Sequence, residues 1–85
     1  MITKKNNKKR TTKHPSVWVL TITTNDGTRC YSAFSSFRKA VNQVKREFSY
    51  IEGAVWDEDV ADTIHNDGIV TDGINEYRID EVSVW

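Results

Sequence analysis

The chain has 85 residues, 28% of them charged and 38% hydrophobic, with a formal net charge of zero and one cysteine, Cys30. That length holds one domain, and a domain so small buries only roughly 60% of its unfolded surface, leaving little apolar area for a deep substrate cavity. A lone cysteine excludes an internal disulfide, and no run approaches the ~20 apolar residues of a membrane span or the apolar middle of a secretory signal, so the expectation is a cytoplasmic chain of the host cell with no membrane contact.

The zero charge is the sum of two opposed halves: residues 1–46 hold eleven Lys or Arg against Asp26 alone, and residues 47–85 hold eleven acids against Arg78 alone. Such asymmetry points to a nucleic-acid or charged-protein partner. Residues 1–14 carry Lys4, Lys5, Lys8, Lys9, Arg10 and Lys13 and no large apolar residue after Ile2, so a disordered basic arm is expected over residues 1–15. Pro15 closes it, and a single α+β domain is expected over residues 16–85.

Val17 to Thr24 reads as a strand, and Asn25-Asp26-Gly27 as a hairpin turn. With Asp26-Gly27 as a two-residue turn, Ile22 pairs with Tyr31 and Leu20 with Ala33. Trp18, Leu20, Ile22, Tyr31 and Ala33 then share an apolar face, and Val17, Val19, Thr21, Thr23, Thr28, Cys30 and Ser32 share the other. Ser35 or Ser36 can cap a helix running from about Ser36 to Tyr50, because Phe37, Ala40, Val41, Val44, Phe48 and Ile51 recur at helical spacing. Its opposite side shows Arg38, Lys39, Asn42, Lys45 and Arg46 to water, and Gly53 offers a stop.

Trp56, Val60, Ala61 and Ile64 suggest a short second helix with Asp57, Glu58 and Asp59 in its first turn, with strands as the alternative over residues 56–71. Asp67-Gly68 and Asp72-Gly73 mark turns around a short strand, Ile69-Val70-Thr71. A last strand runs from about Ile74 to Val84, and its change of apolar phase predicts a β-bulge near Asp80-Glu81. The expected fold is a small antiparallel sheet, an N-terminal hairpin plus C-terminal strands, with one main amphipathic helix on one face.

Chemistry is sparse. Cys30 with His14 or His65 is the only cysteine nucleophile and base the chain can offer, and a mid-strand thiol without nearby cations is structural. One Cys and two distant His do not make a zinc site. Asp57-Glu58-Asp59 with Asp62 resembles the start of a calcium loop, but the sixth position is Asp62 rather than Gly and the twelfth is Gly68 rather than Glu. Gly27, Gly53, Gly68 and Gly73 read as turns rather than a phosphate loop. No catalytic residue, metal site or cofactor is expected. Helix-dipole and turn roles account for Asp26, Asp57, Asp59, Asp67 and Asp72, which leaves Glu58, Asp62, Glu76, Asp80 and Glu81 as a candidate acidic partner face. Lys4, Lys5, Lys8, Lys9, Arg10, Lys13, Arg38, Lys39, Lys45 and Arg46 form the alternative, a surface that neutralises nucleic-acid phosphates. Tyr50, Trp56 and Trp85 are candidate interface aromatics, with the core as the expected place for Trp56.

In the hairpin VWVLTITTNDGTRCYSAF running into SSFRKAVNQVKREF, in its size and in its acidic second half, the chain resembles small accessory proteins of phages and mobile elements, a class that includes anti-CRISPR proteins. The resemblance implies a non-catalytic protein, monomer or homodimer, that inhibits a host nucleic-acid-handling protein or ribonucleoprotein complex by occupying a charged binding surface. The alternative is a small nucleic-acid-binding protein using the basic arm and helix.

Overall fold

Eight consecutive residues rich in β-branched and aromatic side chains make Ser16–Thr23 the strand β1, flanked on both edges by other strands. The elements that follow are β2 (Arg29–Phe34), α1 (Phe37–Ser49), α2 (Glu58–Asp67), β3 (Ile69–Thr71) and β4 (Glu76–Ser83). This computed structural model describes residues 16–83; the expected arm with its six cations and Pro15, and Val84 and Trp85, lie outside the described residues. The sheet order is β2-β1-β4-β3, antiparallel throughout. The α+β architecture is as expected, and residues 58–67 are a helix.

Register decides which side is core. Leu20 pairs with Ile79, Ile22 with Tyr77, and Tyr77 with Val70, so these side chains share one face. Leu20, Val70, Tyr77 and Ile79 are buried there with Ala40, Val41, Val44 and Phe48 of α1 and Ile64 of α2, so both helices cover that face, and among the described residues the other is open. Each fully buried large side chain contributes roughly 1.5–3 kcal/mol. Ser36 caps α1 by accepting from the Lys39 N–H at 3.2 Å, and Asp57 caps α2 by accepting from the Val60 N–H at 3.0 Å. Gly68 ends α2 at φ 73°, and a Cβ there would stand 3.1 Å from the Ile79 carbonyl oxygen, so this position needs glycine twice over.

Two expectations are corrected. Leu20 faces Ser32 and Ile22 faces Cys30, one residue away from the pairing a two-residue turn requires. The loop has three residues: the Thr24 N–H donates to the Thr28 carbonyl at 2.8 Å, the Gly27 N–H donates to the Thr24 carbonyl at 2.9 Å, and Gly27 takes φ 90°. Asp26 favours this form because its Oδ1 accepts from the Thr28 N–H at 3.0 Å and from the Thr24 hydroxyl. The Thr24 hydroxyl and then the Thr28 N–H hold its carboxyl down at about 2. The one-residue step moves Tyr31 and Ala33 to the open face with Val17, Val19, Thr21 and Thr23, while Cys30 and Ser32 cross to the helix side.

The second correction is the bulge, which is absent from the described part of the strand. Pairing of β1 with β4 runs unbroken from Ser16 opposite Ser83 to Thr23 opposite Glu76. Val82 breaks the expected phase because it lies on the open face opposite Val17, and Glu81 lies on the helix side opposite Trp18, still exposed at the strand's end.

Candidate functional site

The five candidate carboxylates do not share a surface. Glu76 and Asp80 sit on the open sheet face, alternating with Arg78, whose Nε lies 3.4 Å from the Asp80 carboxylate. Glu81 points to the opposite face of the same strand. Glu58 and Asp62 are one turn apart on the exposed side of α2, beside Asp59. The site that remains acidic is therefore the α2 ridge, Glu58-Asp59-Asp62. Asp59, which the helix dipole explains by itself, belongs to it by position.

Helix preferences act on these acids in both directions: Glu58 and Asp59 sit in the first turn, where the positive end of the dipole favours each by about 0.3–1 kcal/mol. Like charges four apart, as at Glu58 and Asp62, cost about 0.2–0.5 kcal/mol, and Asp67 in the last turn faces the negative end of the helix dipole. The mirror case is α1, whose first turn has no acid but carries Arg38 and Lys39 against the positive end. In all, α1 has four cations and one acid, while α2 has four acids and no Lys or Arg. Both helices lie in one layer, so these charges form two oppositely charged ridges on one side of the sheet.

The α1 ridge borders a cleft. Arg38, Asn42, Lys45, Arg46 and Ser49 fall within an arc of about 100°, with Lys39 at its rim. Asn42, Lys45, Arg46 and Ser49, with Phe48, Ala54 and Trp56, line an open cleft of about 640 Å³. Trp56 is half-buried, and its ring meets Phe48 edge-to-face with centroids 5.1 Å apart, which fixes the indole beside the two cations. The sequence set Asn42, Lys45 and Arg46 on one side of the helix but did not bring Ser49 and Trp56 beside them. The 42-45-46-49 spacing carried that signal, whereas the approach of Trp56 from a loop had none. Tyr50 is exposed just past the end of α1.

A second concavity, about 430 Å³, opens between α2 and β3 and is lined by Val60, Ile69, Val70, Thr63, Thr71, Asp59 and Glu76. Among the described residues no group of three or more His, Cys, Asp or Glu could hold a metal, and no polar or charged residue is buried. Cys30 is exposed on β2, while His65 packs edge-to-face on Phe37 and its Nδ1 donates to the Ala61 carbonyl at 2.8 Å.

The shifted titratable groups serve turns. Burial, and then donation to Asp72, pushes the Tyr77 hydroxyl up to about 12. Burial pushes the Asp72 carboxyl up as well, but donors from the Tyr77 hydroxyl and from the Asn75 and Ile74 N–H outweigh it and leave the group below its ordinary value. Among the described residues, no helix is long and apolar enough to cross a membrane. Comparison of the chain with protein-family models, curated proteins and solved structures finds no match.

Proposed function

We propose that this chain is a non-catalytic binding protein of the phage or mobile-element type that inhibits a host nucleic-acid-handling complex, in the manner of an anti-CRISPR protein. The observation that supports this reading most is the α2 ridge. Glu58, Asp59 and Asp62 are exposed on one side of α2 and carry no ion-pair partner among the described residues. Carboxylates on a rigid helix can take charge-assisted hydrogen bonds from the Arg and Lys that a complex uses to hold phosphates. Glu76, Asp80 and Glu81, divided between two faces, are secondary to it.

A second reading is favoured by the α1 cleft: Lys45 and Arg46 neutralise phosphates, and Trp56 offers an aromatic surface to a base of a single strand. The residues of the basic arm would extend that surface. Capture of the tagged chain's partners from host lysate, with and without nuclease, separates the two. Under the inhibitor reading a protein partner survives nuclease and is displaced by added nucleic acid. Loss of every partner on nuclease treatment would reject it in favour of direct nucleic-acid binding.

A further inference from the structure

We infer that the open edge of the sheet, β2, pairs antiparallel with β2 of a second copy of this chain about a two-fold axis at Tyr31. Among the described residues the edge is guarded by one charge alone, Arg29 at its first position. Natural edge strands are kept from pairing by charged side chains, Lys above all, and by Pro, bulges, shortness or a covering element. β2 has six residues, Arg29-Cys30-Tyr31-Ser32-Ala33-Phe34, with no Pro or Lys, and all but Phe34 are exposed. The opposite edge, β3, has only three residues.

The hairpin loop fixes which backbone groups are on offer. Thr24 and Thr28 form a hydrogen-bonded pair, so strict alternation turns the backbone of residues 30, 32 and 34 toward β1 and that of Arg29, Tyr31 and Ala33 outward. These three positions are symmetric about Tyr31. In a two-fold pair centred there, Tyr31 exchanges hydrogen bonds with its own copy and Arg29 exchanges them with Ala33 of the other chain, so every outward N–H and C=O is matched. A centre at Cys30 or Ser32 leaves one outward residue of each chain unmatched.

Side chains agree with that centre. Arg29, the one charged residue of β2, faces an alanine instead of another arginine, and the Tyr31 rings, 65% exposed in the single chain, come together on the open face. Cys30 faces Ser32 of the other copy in a non-hydrogen-bonded pair, where Cα atoms approach to about 4.5 Å. The axis is normal to the sheet and keeps both helical layers on one side, so the dimer displays two copies of each charged ridge. A second copy is favoured because in this register the strand sets no like charges opposite each other, its one cation meeting an alanine.

Sedimentation of the full chain over a concentration series, together with oxidative cross-linking, tests the pairing. The expected result is a concentration-dependent doubling of mass that Tyr31→Lys abolishes, since it sets two cations opposite each other, while the melting temperature stays within a few degrees. Ser32→Cys should yield a covalent dimer on mild oxidation through Cys30 to position 32 of the other copy, a spacing a disulfide spans. A chain monomeric at every concentration, a dimer indifferent to Tyr31→Lys, or a wild-type dimer cross-linked as readily through Cys30 to Cys30 would overturn the inference. So would a monomer whose Tyr31 and Ala33 amide signals shift only when another protein is added, an outcome that assigns the edge to a partner's strand.

Discussion

Asp72 and Tyr77 show how one side chain can close a turn and anchor the core together. Tyr77 is fully buried between Leu20's face of the sheet and Phe48, and its hydroxyl escapes by donating to Asp72 at the sheet's end. Replacing Asp72 by Asn should cost about 1 kcal/mol, the usual net worth of such a hydrogen bond, in urea unfolding at neutral pH. Because the folded state lowers the Asp72 carboxyl, its contribution is fully present above the ordinary value of 3.8 and is lost as pH falls below it, so the difference between wild type and Asp72→Asn should shrink in acid. The sign is opposite for Tyr77, whose raised hydroxyl makes stability fall between pH 10 and about 12, and tyrosinate absorbance of Tyr77 should rise with unfolding in that window.

At the scale of elements, the hairpin register makes a sharp prediction. Tyr31→Ala should shift stability by no more than about 0.5 kcal/mol, because the ring lies on the open face, while Leu20→Ala, fully buried across the strand pair, should cost roughly 2–5 kcal/mol. Equal costs in denaturant unfolding would restore the two-residue turn. α1 was legible because Phe37, Ala40, Val41, Val44 and Phe48 repeat with one period behind Ser36, whereas four apolar residues, Trp56, Val60, Ala61 and Ile64, left α2 open against strands until Asp57 and Gly68 were seen to cap it. The register was not, because Asn25-Asp26-Gly27 suits a two- or a three-residue loop, and the choice rests on Asp26 bonding Thr24 and Thr28. Val82 misled for a different reason: an apolar residue on an uncovered face looks in sequence like a core residue out of phase. Of the candidate site, the charges were legible and their grouping was not, since strand parity alone separates Glu81 from Asp80 and loop geometry alone brings Trp56 to Lys45.

At the scale of the whole molecule, the four cations of α1 and the four acids of α2 form neighbouring ridges on one layer, while the sheet face behind them is balanced by Arg29, Arg78, Glu76 and Asp80. Among the described residues, the unbalanced charge therefore belongs to the helical layer. Reversing Glu58 and Asp62 together to Lys should slow association with a protein partner and leave folding intact, since both are exposed. Reversing Lys45 and Arg46 to Glu should instead weaken nucleic-acid binding and flatten its salt dependence.

The most direct measurement is the affinity of the full chain and these two double variants for the nuclease-treated partner complex, at two salt concentrations. The proposed function requires that Glu58→Lys with Asp62→Lys lose at least about tenfold in affinity, equivalent to about 1.4 kcal/mol, and that Lys45→Glu with Arg46→Glu lose little. Full binding and inhibition by a folded Glu58→Lys, Asp62→Lys variant, with the loss falling on the Lys45 and Arg46 reversal, would contradict it.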